Sequence, residues 1–233
     1  MRRVHLEPEG PGLDAELTEA DIGEQLSEIV ERAGDAGATA VVVEAEPVEP
    51  ELDAALEEAG FAPTRTTLQL RRSLPLEPSA RGHAPAITTR PFDPARDEQA
   101  WLAVNNRAFA WHPDQSDQTV DDLRAHVAEP WFRADGFLVH ETEGGELDGF
   151  CWTKIHADHE PPLGEIYVIG VDPPAHGQGL GRALVLAGLD WLASQGLTVA
   201  MLYVEADNEA ARALYASMGF VEHQAHRWWR RSL

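Results

Sequence analysis

Residues 88–233 form an ordered series of segments in which apolar positions recur at helical or at strand spacing. Two helical segments, 95–110 and 119–128, precede two strand segments, GFLVHET and LDGFCWTKIHA. The turn EGGE separates these strands and predicts a hairpin. Strand and helix patterns then alternate: strand 164–171, helix 179–196, strand 198–206, helix 208–219 and strand 220–232. This order predicts an α/β or α+β domain with a mixed sheet flanked by helices.

The segment Ser73 to Thr89 interrupts this periodicity and is rich in Pro, Gly and Ser. We expect a linker at 75–87, between a partial domain at 1–74 and a complete domain at 88–233.

An internal repeat connects the two parts of the chain. The run Leu56 to Leu74 matches Tyr215 to Leu233 at a constant offset of 159 residues, and both runs contain Gly-Phe and end in Arg-Arg-Ser-Leu. The run VVEA (42–45) also resembles YVEA (203–206), at an offset of 161 residues. Two matches in the same order indicate a duplicated βαβ unit, of which the first copy is truncated.

Charge and composition exclude several classes of function. Of the 233 residues, 40 are Asp or Glu and 18 are Lys or Arg, so the formal charge of -22 opposes nucleic-acid binding. No apolar run reaches the roughly 20 residues that span a bilayer, and the first residues lack the apolar core of a secretion signal. We therefore expect a cytoplasmic monomer that does not bind membranes. Cys151 is the single cysteine, so no internal disulfide is possible.

A glycine-rich loop, PPAHGQGLGR, lies between the strand at 164–171 and the following helix. Glycines 177, 179 and 181 let a ligand approach the unpaired N–H groups of the helix N-terminus, which favour an anion. The loop lacks the Gly-Lys-Ser/Thr ending of a P-loop and the third glycine of G-x-G-x-x-G. A phosphate-binding turn, with Arg182 as the nearest cation, and a turn without ligand both fit this pattern.

Two motifs together resemble the GNAT superfamily of acyl-CoA-dependent N-acetyltransferases. The segment His176-Gly177-Gln178-Gly179-Leu180-Gly181 is similar to the superfamily's pyrophosphate loop, Q/R-x-x-G-x-G/A, with His at the first position. Asn208 and Tyr215 have the spacing of its cofactor-binding Asn and its general-acid Tyr. The stretches WTKIHADHEPPLGEIYVIGVDP and LYVEADNEAA further resemble the mycothiol synthases, which consist of two tandem GNAT domains.

This resemblance implies a GNAT fold, with a degenerate first domain, and a reaction. Mycothiol synthases transfer the acetyl group of acetyl-CoA to the cysteinyl amine of desacetylmycothiol, a small-molecule substrate. The implied catalytic residues are Glu165 as base and Tyr215 as acid, and the implied substrate contacts are Asp114, Lys154, Glu165 and Tyr203. Acetyl-CoA would contact Ile169, Gly170, Val171, His176, Gly177, Gln178, Gly179, Leu180, Gly181, Arg182, Asn208, Glu209, Ala210, Ala211, Arg212 and Ala213.

The residues taken alone leave other interpretations open. Tyr203 and Tyr215 also fit core aromatics, and Lys154 also fits a solvated strand face. Glu165 precedes the apolar run IYVIGV, so its charge indicates a cavity. We expect Cys151 to be packed in the core and His156, Asp158 and His159 to hold no metal. Alternative functions are acetylation of another amine, such as an aminoglycoside, a polyamine or a protein N-terminus, and non-catalytic CoA binding.

Overall fold

The computed structural model describes residues 2–7, 15–17, 21–112 and 117–233. Its strands are β1 (Arg2–Glu7), β2 (Ala15–Glu16), β3 (Ala40–Ala45), β4 (Ala62–Ser73), β5 (Thr89–Pro91), β6 (Phe137–Glu141), β7 (Leu147–His156), β8 (Leu163–Val171), β9 (Val199–Glu205) and β10 (Val221–Ser232). Its α-helices are α1 (Ile22–Asp35), α2 (Pro50–Glu58), α3 (Pro94–Ala108), α4 (Val120–Val127), α5 (Leu180–Ser194) and α6 (Glu209–Ser217). Among these described residues, no helix is long and apolar enough to cross a bilayer.

The elements predicted after the linker are all present. The predicted hairpin is β6 and β7, which pair antiparallel. The alternating series that follows is β8, α5, β9, α6 and β10. Gly196 and Gly219 follow α5 and α6 with φ of 81° each, a conformation that glycine adopts without strain and that commonly ends a helix.

The chain divides into two compact units that are not contiguous in sequence. The first contains residues 1–70, 203–212 and 222–233, and the second contains residues 71–202 and 213–221. The predicted domains at 1–74 and 88–233 and the linker at 75–87 remain a prediction. Each of the two units combines segments from both sides of the predicted linker.

The first unit contains strands in the order β2-β1-β3-β10-β4. β3 pairs antiparallel with β1 and with β10. Helices α1 and α2 pack their apolar residues, among them Leu26 and Leu56, against Val43 of β3 and Trp229 of β10. The last strand of the chain thus completes the core of this unit.

The bounds of the elements follow the internal repeat. Helices α2 and α6 begin and end 159 residues apart, and so do strands β4 and β10. Leu56 in α2 corresponds to Tyr215 in α6 at this offset. The two copies therefore have the same secondary structure over the matched segments, which supports the duplication.

The second unit contains strands in the order β9-β8-β7-β6-β5. Side chains of β7 alternate between its two faces, as strand geometry requires. On one face, Cys151 and Thr153 approach Gly188 of α5, where an added Cβ would be 2.5 Å from the Cys151 Sγ. On the other face, Phe150 and Trp152 pack edge-on against Trp101 of α3. Lys154 and His156 continue this second face toward the end of β7.

Candidate active site

Glu165 lies where β8 stops pairing with β9. The two strands are parallel and pair at Gly164 with Ala200 and at Glu165 with Met201. Within the described residues no further β8–β9 pair follows, although β8 continues to Val171. Glu165 is only 6% exposed, so its carboxylate needs a polar partner. Glu165, the predicted base, therefore lies in a buried position at an opening of the sheet.

The partner of Glu165 is His156, which the sequence analysis did not assign to the site. Its Nε2 lies 2.7 Å from the Glu165 Oε2. The signal in the sequence was the alternation of Lys154 and His156 on one strand face. The β7–β8 register that brings His156 to Glu165, including its shift between Trp152 and Thr153, was not predictable from the sequence.

Lys154 is the direct cross-strand partner of Glu165. Its Nζ lies 4.4 Å from the ring centroid of Trp131 and 5.2 Å from that of Tyr167, in cation–π contact with both rings. Among the described residues it forms no ion pair. Two of the predicted substrate contacts, Lys154 and Glu165, are thus brought together on one sheet face.

Tyr167 also lies on this face. Burial raises the pKa of its hydroxyl, and the negative charges of Glu165 and Glu129 raise it further. The hydroxyl therefore stays protonated at neutral pH beside the charged carboxylate.

Tyr215, the predicted acid, is 7% exposed and packs edge-on against Phe220. Burial raises the pKa of its hydroxyl far above the usual value, with a smaller contribution from Cys151. The hydroxyl keeps its proton at any physiological pH. It can donate a hydrogen bond, whereas complete transfer of its proton to a thiolate is energetically uphill.

Cys151 is fully buried on the face of β7 that packs against α5. Burial raises the pKa of its thiol to about 12. At neutral pH the side chain is a protonated thiol, which is a poor nucleophile. The expectation that Cys151 is a packed core residue is confirmed.

The glycine loop leads into α5 as predicted. Gly177 and Gly179 have φ of 76° and 82°, a left-handed conformation that glycine adopts readily. Among the described residues, no side chain caps the N-terminus of α5. The first N–H groups of this 15-residue helix therefore remain available to an anion.

Two side chains near the loop have partners of their own. His176 at its Nε2 bonds to the carbonyl of Val171 at 2.9 Å, which ties the loop to the end of β8. The guanidinium of Arg182 donates to the Ser217 Oγ at 2.5 Å and to the carbonyl of Arg81 at 3.4 Å. Arg182 is thus held at the start of α5 by both hydrogen bonds.

The predicted cofactor residues Ile169 to Val171 form the end of β8. They pair with Cys151, Phe150 and Gly149 of β7. A Cβ on Gly170 would meet the Phe150 ring at 2.6 Å, so only glycine fits there without displacement of that ring. On the side toward β9, no strand pairing among the described residues uses the backbone N–H and C=O groups of these residues.

Asn208 and Tyr203 are in the first unit. The Asn208 Oδ1 accepts the N–H of Ala211 at 3.1 Å and caps α6. Glu209 and residues 210–213 form the first turns of that helix. Tyr203 is 43% exposed, and its hydroxyl accepts a hydrogen bond from Gln69 at 2.7 Å.

Two further predictions concern Asp114 and the group of His156, Asp158 and His159. Asp114 lies outside the described residues. The side chains of His156, Asp158 and His159 offer ligand atoms within 4.8 Å of one another. The expectation that they hold no metal stays a prediction.

Comparison with protein families gives one match in the C-terminal part of the chain. The model of the acetyltransferase (GNAT) family matches residues 99–220, more than half of the chain. This range includes the glycine loop, Glu165, Tyr203 and Tyr215.

Several curated relatives bear the name mycothiol acetyltransferase. The protein from Thermomonospora curvata is 51% identical over 165 residues, which are 70% of this chain and 54% of the relative. The protein from Acidimicrobium ferrooxidans is 52% identical over 171 residues, 72% of this chain and 54% of the relative. That from Salinispora arenicola is 47% identical over 189 residues, 78% of this chain and 60% of the relative. The chain spans about half the length of these relatives.

Two solved structures share the fold. A GCN5-related N-acetyltransferase from Sphaerobacter thermophilus has a TM-score of 0.70 at 21% identity, covering 91% of this chain and 69% of that one. A tandem GNAT protein from the clavulanic acid biosynthesis pathway has a TM-score of 0.65 at 16% identity, covering 92% of this chain and 70% of that one. The predicted fold class is confirmed.

Proposed function

The chain belongs to the acetyltransferase (GNAT) family, and from this premise we propose that it transfers the acetyl group of acetyl-CoA to an amine. The observation that carries the proposal is the buried Glu165 at the point where β8 stops pairing with β9. A buried carboxylate beside an unpaired strand edge combines a proton acceptor with backbone hydrogen-bond donors, which acyl transfer to an amine requires.

We propose that the amine is the cysteinyl amine of desacetylmycothiol and that the products are mycothiol and CoA. The support is an identity of 47–52% with three relatives named mycothiol acetyltransferase. Lys154, on the same sheet face as Glu165, is proposed as a substrate contact. Asp114 and Tyr203 are proposed as further contacts.

Glu165 is proposed as the general base. An α-amine has a reference pKa near ~7.7, so a large fraction is protonated at neutral pH and must lose a proton before it attacks. The carboxylate accepts this proton, directly or through one water molecule. The amine nitrogen then forms a bond to the thioester carbonyl carbon, and the carbon–sulfur bond breaks as the tetrahedral intermediate collapses.

The other charges of the reaction develop on the carbonyl oxygen and on the leaving sulfur. We propose that backbone N–H groups of Ile169 to Val171 donate to the carbonyl oxygen as it becomes negative. Tyr215 donates a hydrogen bond to the sulfur. Because burial raises the pKa of Tyr215, this hydroxyl stabilises the thiolate without giving up its proton completely.

Acetyl-CoA is proposed to bind by its pyrophosphate at the N-terminus of α5. The backbone N–H groups of the loop from His176 to Arg182 can bind the pyrophosphate without a cluster of positive side chains. This explains how a protein of charge -22 can hold an anionic ligand. Asn208 and residues 209–213 are proposed as further contacts. The chain's own residues perform every step of this mechanism, and we propose no metal cofactor.

The test is an acetylation assay with detection by mass spectrometry. Purified protein and acetyl-CoA are incubated with desacetylmycothiol, and separately with an aminoglycoside, a polyamine and a peptide with a free N-terminus. We expect an acetyl adduct on desacetylmycothiol, formed about 10²-fold more slowly when Glu165→Gln protein replaces the wild type. Preferred acetylation of another amine would contradict the proposed substrate, and binding of acetyl-CoA without any product would contradict the proposed activity.

A further inference from the structure

His156 makes the one hydrogen bond that the described residues offer to the side chain of Glu165. The Nε2–Oε2 distance is 2.7 Å, and the two side chains are 21% and 7% exposed. Within the described part of the chain, neither Lys154 nor any other group bonds to the second oxygen, Oε1. The carboxylate is therefore fixed by one oxygen and free at the other.

The strand register explains why His156 reaches this carboxylate. Lys154 is directly opposite Glu165, and His156 is two residues further along β7, opposite Leu163. Residues in diagonal positions of neighbouring strands lie on the same sheet face and within reach of long side chains. The ring of His159 packs edge-on against the His156 ring with centroids 5.8 Å apart. The imidazole is thus held on two sides, by the carboxylate and by a second ring.

We infer that His156 is a positioning residue for Glu165. The Nε2–H of His156 donates a hydrogen bond to the Oε2 of Glu165, so that Oε1 faces the substrate amine. A glutamate has three rotatable side-chain bonds, and fixing such a chain costs conformational entropy. A base whose position is already fixed does not meet this cost in each catalytic cycle. The inference rests on the proposed role of Glu165 in acetyl transfer.

The tautomer follows from this role. Glu165 in its charged form only accepts hydrogen bonds, so the proton of the pair is on the His156 Nε2. Glutamine places its amide nitrogen close to the position of an imidazole Nε2 and can donate the same bond. Leucine has similar bulk and no donor. These two substitutions separate the hydrogen bond from the volume of the side chain.

The first experiment compares His156→Leu and His156→Gln with wild type, using desacetylmycothiol and acetyl-CoA. We expect His156→Leu to lower kcat about tenfold or more while the protein stays folded and acetyl-CoA affinity stays unchanged, and His156→Gln to recover most of the loss. The matched control is His140→Leu, because His140 also bonds to a carboxylate, that of Asp148, on strands of the same unit. This control is expected to change stability and not kcat.

A double-mutant cycle identifies the residue through which His156 acts. In a Glu165→Gln background, His156→Leu should cause no further loss, because the base that it positions is already absent. A full additional loss in that background would overturn the inference, and so would wild-type kcat in a folded His156→Leu protein.

A spectroscopic readout separates this inference from the proposed function. We expect the ¹⁵N resonances of the His156 ring in the whole protein to shift on Glu165→Gln and to stay unchanged on Arg133→Ala. Unchanged resonances in Glu165→Gln would overturn the inference even if desacetylmycothiol is acetylated. If the wild type acetylates a different amine instead, the proposed substrate fails, and the cycle with that amine still decides the role of His156.

Discussion

Lys154 and Glu165 are direct cross-strand partners, yet the ammonium group of Lys154 lies over the ring of Trp131 and not on the carboxylate. An ion pair between the two would have stabilised the charged form of the carboxylate and made Glu165 a weaker base. The aromatic rings of Trp131 and Tyr167 hold the ammonium on the same face and leave Glu165 to accept a proton. Under the proposed function, Lys154 contacts the substrate while Glu165 accepts the proton of the amine.

Replacement of Glu165 by glutamine is expected to lower kcat by about 10²-fold, because the amide cannot accept the proton of the amine. The change keeps the size of the side chain, so acetyl-CoA affinity should stay near that of the wild type. Steady-state kinetics and calorimetric titration with acetyl-CoA measure the two quantities. A Glu165→Gln enzyme with wild-type kcat would show that another group removes the proton.

Replacement of Tyr215 by phenylalanine is expected to lower kcat less, by about tenfold, the equivalent of one hydrogen bond of ~1.4 kcal/mol. The ring and its contact with Phe220 are retained, so the melting temperature should change little. Because burial raises the pKa of Tyr215, its ionisation should cause no loss of wild-type activity below pH ~10. A fall in activity near pH 8 that Tyr215→Phe abolishes would contradict this assignment.

Much of the second unit could be predicted from the sequence. The hairpin of β6 and β7 follows from two alternating segments around EGGE, and α5 follows from the glycine loop and the apolar helical pattern after it. These elements are set by local periodicity and by backbone conformations that glycine favours. The position of Glu165 in a cavity could also be expected, because the run IYVIGV that follows it is apolar.

Other features depend on contacts between distant parts of the chain. β10 lies between β3 and β4, so the last strand of the chain pairs with strands near its beginning. No local sequence pattern encodes such a distant pairing. The bond from His156 to Glu165 depends on the β7–β8 register, and a shift by one residue would turn either side chain to the other face. The cation–π contacts of Lys154 with Trp131 and Tyr167 require the same tertiary arrangement.

Substitutions in the glycine loop can separate an effect on folding from an effect on the binding of acetyl-CoA. A Cβ on Gly181 would lie 3.7 Å from Val171, an ordinary contact, whereas one on Gly179 would lie 2.9 Å from Pro85 at a φ of +82°. Gly181→Ala is therefore expected to keep the melting temperature and raise the KM for acetyl-CoA severalfold, because the methyl group hinders the pyrophosphate. Gly179→Val should both lower the melting temperature and raise the KM for acetyl-CoA.

The control for this test is Gly144→Ala, in the turn between β6 and β7, which should change neither quantity. Thermal melts and KM measurements on the three variants check the prediction. An unchanged KM in Gly181→Ala would exclude a close approach of the cofactor at the start of α5.

A buried ion pair should make a large contribution to the stability of the second unit. Arg90 donates to both oxygens of Asp97, whose side chain is 3% exposed. Burial acts to raise the pKa of Asp97, but the hydrogen bonds from Arg90 and from the Asp93 backbone outweigh it and lower the pKa. Arg90→Ala should therefore lower the free energy of unfolding by about 3 kcal/mol. It leaves the buried carboxylate with only the N–H of Asp93 and a 3.8 Å ion-pair contact with Arg96.

The comparison variant is Arg133→Ala. Arg133 pairs with Asp135 at the surface, where the side chains are 47% and 52% exposed, and its loss should cost less than about 1 kcal/mol. Urea denaturation at neutral pH measures both variants. Since the pKa of Asp97 is lowered by folding, the advantage of the Arg90 pair is present above the unfolded pKa of Asp97 and should fade as the pH falls through its folded value. Equal losses for the two variants at neutral pH would contradict this account.

The internal repeat raises the question of how many acetyl-CoA molecules one chain binds. In the second copy, the N-terminus of α5 follows a loop with glycines at 177, 179 and 181. In the first copy, the sequence TEADIGEQLSEIV contains one glycine and four acidic residues. Of these acidic residues, Asp21 is at the N-cap of α1 and Glu24 is in its first turn. Negative side chains at this helix N-terminus repel a pyrophosphate, and side chains in place of glycines keep it away from the backbone.

The first copy also lacks the hydroxyl proposed to face the leaving sulfur. Leu56, which corresponds to Tyr215, is fully buried in the core of the first unit. We therefore predict that one chain binds one acetyl-CoA, and that Gly181→Ala weakens this single site. Calorimetric titration of protein freed of bound cofactor should give a stoichiometry of one. Two sites of similar affinity, of which Gly181→Ala affects only one, would instead mean that the first copy binds the cofactor without a glycine loop.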